Sequence, residues 1–168
     1  MNTYQETTHA PTPGLWWGIA AALALVDQGL KFAIEHLYEL GSSLAVSPFF
    51  NLVHTRNPGA AFSFLADAGG WQRYLFVLIA LAVALTLIVI LRRARPWREA
   101  LGYSLILGGA VGNLIDRSLR GFVVDYLDFH YQEWHWPAFN LADIAIVGGA
   151  LLLMISSLVR PAVEVKCP

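Results

Sequence analysis

The chain has 168 residues, 57% of them hydrophobic and only 14% charged, with a formal net charge of -1. Soluble domains carry about 45–50% apolar and about 25% charged residues, so a water-soluble globule of this size would lack the charges to cover its surface. The balance of charge, with no basic stripe, excludes a nucleic-acid-binding surface. The single cysteine, Cys167, excludes an internal disulfide or a multi-cysteine metal site and reads as a free tail thiol.

The opening residues 1–13 hold no Lys or Arg and are expected to be disordered. Residues 14–34 form the first apolar window, interrupted only by Asp27 and Lys31; about 20 such residues cross the hydrocarbon core as a helix. The window lacks a basic n-region and a following small-residue cleavage site, so it reads as a retained span rather than a cleaved signal peptide. Residues 35–73 are too long for a turn. Within them, 43–55 mix apolar residues with turn formers such as Pro48, predicting short interfacial strands. Residues 63–73 predict a short interfacial helix anchored by Trp71. Residues 74–91 are free of charge, and the link that follows crowds Arg92, Arg93, Arg95 and Arg98 together. The third window, 100–117, is uncharged until Asp116 and Arg117 close it. Residues 118–136 form a second outer connection, with Trp134 and Trp136 placed as an aromatic belt. The last window, 137–159, contains one charge, Asp143. All four windows are expected to be helices, because backbone facing lipid must satisfy its own hydrogen bonds. The whole chain, 1–168, reads as one integral membrane domain.

Arginine clustering between the second and third windows assigns that link to the cytoplasm, which puts both termini inside. Asp27, Lys31, Asn113, Asp116, Arg117, Asn140 and Asp143 then fall in the outer half of their spans, with Asp125 in the connection beside them. Charges inside a bilayer cost ~2.5–3.5 kcal/mol or more, so they face partners or a wet cavity. Asp27 and Lys31, four apart, can form a structural ion pair. Arg117 can snorkel to the interface or serve the site. Asp143 has no basic neighbour one turn away in its own span, which favours a functional role. Asp125 and Asp143 across a short loop permit paired carboxylate chemistry, in which one acid holds a proton that two close charges cannot both give up. Zinc-protease, nucleophile-elbow and phosphate-loop motifs are absent. His130 and His135 are a weak ligand signal. The glycine-rich runs at 108–112 and 148–150 suit close helix packing.

These residues resemble the lipoprotein signal peptidases, or signal peptidase II, of the bacterial inner membrane. Four blocks carry the resemblance in order: Asp27-Gln28 with Lys31; the run 57–63, beginning Asn57-Pro58-Gly59; the run 108–117, continuing to Gly121 and Asp125; and Phe139-Asn140-Leu141-Ala142-Asp143. Pro58 occupies a variable position, and Ile144 stands where many members carry Ser. The resemblance implies an all-α membrane protein of four transmembrane helices with a small extracytoplasmic β-cradle and a short interfacial helix over the site. It implies an aspartyl endopeptidase without metal or cofactor; four helices can enclose a small site alone, so a monomer is expected. Such an enzyme cuts diacylglyceryl-modified prolipoproteins just before the modified cysteine. It implies Asp125 and Asp143 as the catalytic pair, with Asn57, Gly59, Asn113, Arg117 and Asn140 binding substrate and Asp27, Lys31 and Asp116 supporting them. It also implies membrane lipid as a partner and inhibition by cyclic peptides such as globomycin. Two rival readings of the residues alone stay open: a proton-relay transporter, and a non-enzymatic membrane scaffold.

Overall fold

The computed structural model describes residues 12–59 and 69–159. The tail residues Arg160, Lys166 and Cys167, and most of the expected interfacial helix, lie outside them. Among the described residues are four helices, α1 (Pro13–Leu37), α2 (Gln72–Leu91), α3 (Trp97–Leu119) and α4 (Leu141–Leu158), and four strands, β1 (Ser43–Ser47), β2 (Phe50–Asn57), β3 (Val123–Tyr131) and β4 (Trp134–His135).

Helices α1, α2 and α4 are long and apolar enough to cross a membrane. Their outward faces are bare hydrocarbon: Leu25, Phe32, Leu78, Leu85, Val147 and Leu158 are all exposed. A water-soluble protein does not expose such continuous apolar surface, whereas a lipid solvent favours it. Helix α3 differs. It packs against each of the other three, and its buried face is built from Gly102, Ser104, Gly108, Gly109, Gly112 and Asn113. A central helix needs small residues that let its neighbours approach, not bulk that would face lipid.

Gly109 marks the closest approach. A Cβ there would collide with the carbonyl oxygen of Ala142 and come within 2.8 Å of Ile146 Cγ1 on α4. Gly109→Leu is therefore expected to destabilise the fold by about 3 kcal/mol or more, since the obstacle is backbone that a rotamer change cannot move. Thermal unfolding in detergent measures this; an unchanged midpoint would mean that α3 and α4 do not pack this closely. Gly112 has a second role, because a Cβ there would stand 2.6 Å from Asp27 Oδ2. Its bare backbone makes room for the buried carboxylate of α1.

The strands form a sheet in the order β1-β2-β3-β4, antiparallel throughout. The β1–β2 hairpin turns at Pro48 and Phe49, inside the stretch expected to form interfacial strands. The sequence reading assigned no strand between residues 118 and 136, yet β3 is the longest strand of the sheet. Its β-branched and aromatic residues carry the signal. Register pairs Thr55 with Asp125 and Asn57 with Val123, which brings the end of β2 beside the start of β3. The fourth apolar window begins at residue 137, but its helix starts at Leu141. Phe139 instead bridges Leu127 of β3 through backbone hydrogen bonds, so extended chain leads from the sheet directly into α4.

Candidate active site

The start of α4 and the start of β3 hold the two carboxylates. Asn140 is the N-cap of α4, and Asp143 is its third residue. The Asn140 side chain accepts the Asp143 N–H at 3.0 Å, while the Asn140 N–H donates to Asp143 Oδ2 at 3.3 Å. This reciprocal cap satisfies two backbone donors that a helix start leaves free, and it fixes the Asp143 side chain against the helix end. The remaining group of Asn140, its Nδ2, donates to Asp125 Oδ1 at 2.7 Å. One wholly buried asparagine thus touches both carboxylates.

Further amides complete the frame. Asn113 Nδ2 of α3 donates to Asp143 Oδ1 at 2.8 Å. Asn57 Nδ2 at the end of β2 donates to Asp125 Oδ2 at 3.1 Å, and its Oδ1 accepts the Gly59 N–H at 3.0 Å. Each of the four carboxylate oxygens therefore receives one donor. Asp125 is 2% exposed. Burial, and next the negative charge of Asp143, push it up to about 7, against the opposing hydrogen bonds from Asn57 and Asn140. Two carboxylates close enough to sense each other, one of them protonated near neutrality, is the condition for acid–base work by a pair. Tyr126, next along β3, is pushed up to about 12 by burial, and its neutral hydroxyl accepts the Leu141 N–H at 3.1 Å.

Both aspartates open onto a cavity of about 750 Å³. Asn57, Arg117 and Trp136 line its polar side, and Ile144, Val147 and Leu151 extend an apolar wall along α4. Arg117 Nη2 donates to the Gly59 carbonyl at 3.0 Å, and the guanidinium lies 5.3 Å from the Phe76 ring centroid. Its Nε is buried and has no hydrogen-bond partner among the described residues. The cationic side chain turns toward this cavity instead of snorkelling away.

Beneath the pair lies a second polar layer. Lys31 Nζ contacts Asp27 Oδ2 and Asp116 Oδ2 at 2.8 Å each and donates to Asn113 Oδ1 at 3.0 Å. All three of its N–H groups are used, and Lys31, Asp27 and Asp116 are wholly buried. Asp27 Oδ1 accepts the Ala142 N–H at 3.0 Å, tying α1 to the first turn of α4. The sequence reading placed Asp27 and Lys31 as a pair but missed the groups that close the layer. Gln28 Nε2 donates to Asp116 Oδ1 at 2.9 Å, and Arg120 bridges Asp116 Oδ1 at 2.7 Å and Glu35 Oε2 at 3.0 Å. The i, i+4 spacing of Asp116 and Arg120 could have identified that contact.

His130 and His135 lie away from the pair, near the far end of β3. Their rings stack at 5.0 Å, and His135 Nδ1 lies 2.9 Å from Asp128 Oδ2. No group of three His, Cys, Asp or Glu suited to a metal occurs among the described residues.

Residues 19–159 match the family described as Signal peptidase (SPase) II. A lipoprotein signal peptidase of Serratia marcescens is 56% identical over 140 residues, covering 83% of this chain and 82% of that protein. Another, from Paraburkholderia phymatum, is 51% identical over 146 residues, 86% of this chain and 88% of its own. A bacterial membrane enzyme solved by the in meso method at 2.3 Å superposes with a TM-score of 0.80 at 29% identity, covering 92% of this chain and 94% of that one. Four ordered sequence blocks, a buried carboxylate pair and a shared fold lead to one assignment: the chain belongs to the signal peptidase II family.

Proposed function

We propose that Asp125 and Asp143 are the catalytic pair of this membrane peptidase and that the cavity between β2, β3 and α4 receives the scissile bond. Membership of the family makes the chain an aspartic peptidase that removes signal peptides from prolipoproteins. The observation that carries the site assignment is Asn140, which bonds Asp125 through its side chain and Asp143 through its backbone N–H. A single residue that aligns two buried carboxylates on one cavity serves chemistry better than it serves stability, because burying carboxylates is costly.

In this reading Asp143 takes a proton from water, and the water oxygen attacks the peptide carbonyl carbon. Protonated Asp125 gives its proton to the carbonyl oxygen, forming a tetrahedral diol. Collapse of the diol breaks the C–N bond as the amine gains a proton, leaving a carboxylate on the signal peptide and a free amine on the cysteine. Asn57, Asn113 and Asn140 hold the two carboxylates in register. Arg117 lines the cavity, holds the Gly59 carbonyl beside it and presents positive charge to a substrate carbonyl.

The apolar wall of Ile144, Val147 and Leu151 suits a substrate carrying diacylglyceryl chains that stay in the bilayer, each buried methylene contributing about 0.8 kcal/mol. Helix α3 is the fourth span, its small-residue face hidden inside the bundle. The arginines between α2 and α3 face the cytoplasm of the inner membrane, so both termini lie inside and the carboxylates lie toward the periplasmic side. Exposed Trp71, Trp134 and Trp136 support that depth as interfacial anchors. The chain acts as a monomer, since its own helices and sheet enclose the cavity, and a globomycin-type cyclic peptide binds there between the aspartates.

Purified protein is expected to cut a diacylglyceryl-modified prolipoprotein immediately before the modified cysteine, with a globomycin-type peptide competing. Mass spectrometry of both products reads the cut. A folded parent that leaves the modified precursor intact would overturn the reading.

A further inference from the structure

We propose that a groove between α1, α2 and α3 binds an anionic phospholipid, with one acyl chain in the groove and the phosphate on Arg92. The groove holds about 420 Å³ and shares no residue with the cavity around the aspartates. It is lined by Trp17, Ala20 and Ala21 of α1, Ile88 and Arg92 at the end of α2, and Leu107 and Val111 of α3.

The spacing gives its direction. Trp17 and Ala21, Ile88 and Arg92, and Leu107 and Val111 each stand four positions apart, with Ala20 on the same face as Trp17, so each helix contributes one stripe along its axis. A groove made from three such stripes runs lengthwise along the bundle, which is how acyl chains lie in a bilayer. Its walls are aliphatic apart from Trp17, which suits hydrocarbon. Helices α1 and α2 meet each other far less than each meets α3, which leaves room for an occupant between them.

The charge gives the headgroup. Arg92 is the one charged lining residue and caps the C-terminus of α2, where the chain leaves the apolar span. Neither Arg92 nor Arg93 has an ion-pair partner among the described residues, whereas Arg95 lies 3.8 Å from Glu99 and Arg98 lies over the Trp97 ring. An unneutralised guanidinium at the mouth of an apolar groove complements a phosphate joined to a hydrocarbon chain. A lipid without net charge matches only the groove, and free phosphate matches only the arginine.

The test is native mass spectrometry of delipidated protein titrated with phosphatidylglycerol, phosphatidylcholine or inorganic phosphate, with thermal unfolding in parallel. Phosphatidylglycerol is expected to bind in preference to the other two and to raise the unfolding midpoint. Arg92→Gln should weaken it roughly fivefold, the equivalent of about 1 kcal/mol for one basic residue at an anionic lipid, while Arg93→Gln should weaken it less. Ala21→Phe, which fills the groove without altering charge, should also weaken it. The proposal is overturned if phosphatidylcholine binds equally well, if phosphate alone protects as much, or if Arg93→Gln costs as much as Arg92→Gln. The last result would indicate diffuse attraction to the arginine turn. The outcome does not bear on the peptidase site.

Discussion

Replacing Asp143 or Asp125 by Asn is expected to slow cleavage of a diacylglyceryl-modified precursor by roughly 10³–10⁴-fold while leaving the protein folded. An amide cannot take a proton from water at the position of Asp143 or supply an acidic proton at that of Asp125. The side-chain volume is unchanged, so packing around α4 and β3 persists. Linkage makes Asp125→Asn an informative control. Asp125 is raised from 3.8 to about 7, so the fold holds its proton more tightly than the unfolded chain does. The cost of burying its charge is absent below about pH 3.8, grows as pH rises toward 7, and persists above it. At pH 8 the neutral amide escapes that cost and gives up one of the two hydrogen bonds from Asn57 and Asn140, a loss of ~1 kcal/mol. Asp125→Asn is therefore expected to unfold at no lower temperature than the parent at pH 8. Cleavage rates and unfolding midpoints measured on the same samples check both halves. A variant that is unfolded, or one that cuts at the parental rate, would count against the pair.

The second large effect is expected at Lys31. Lys31→Met leaves Asp27 and Asp116 wholly buried without the ammonium that lies 2.8 Å from each. Removing one partner of a buried ion cluster costs ~3–5 kcal/mol, because the charges left behind lose their compensation. Arg120 still reaches Asp116, but Asp27 keeps only the Ala142 N–H and the weaker contact from Gln28. The damage should travel to the site by two routes. Asp27 holds the first turn of α4 that carries Asp143. Lys31 also fixes the Asn113 amide so that its nitrogen faces Asp143 Oδ1. Thermal unfolding in detergent reads the stability loss; a change under about 1 kcal/mol would show that the cluster is not the brace described here.

The long apolar helices α1, α2 and α4 were legible because hydropathy and backbone satisfaction act locally. Helix α3 is the instructive case. Its charge-free stretch predicts a helix, which the structure shows, but its glycines reveal their role only once Ala142 and Asp27 are seen against them. That Asp27, Lys31, Asn113, Asn140 and Asp143 come together at one level of the helices was also readable, since position along a helix fixes height. Which groups touch was not. The double role of Asn140 depends on β3 passing within 2.7 Å of the α4 cap, and no spacing in the sequence encodes that approach. Strand β3 lacks the alternation that marks a half-buried strand, because Val123, Val124, Asp125 and Tyr126 are buried in succession and charged residues interrupt its apolar run. Pro137 was included in the fourth window as apolar, whereas backbone pairing of Phe139 with Leu127 delays the helix to Leu141.

The most direct test of the central claim is kcat/KM for a diacylglyceryl-modified prolipoprotein measured from about pH 4 to 9, the range in which perturbed carboxylates titrate. The account predicts a bell. Its alkaline limb should fall near pH 7 as Asp125 gives up its proton, and its acid limb should fall as the pair takes up a second one. A rate that is flat across this range, or that climbs through pH 7, would contradict a carboxylate pair sharing one proton at the heart of this site.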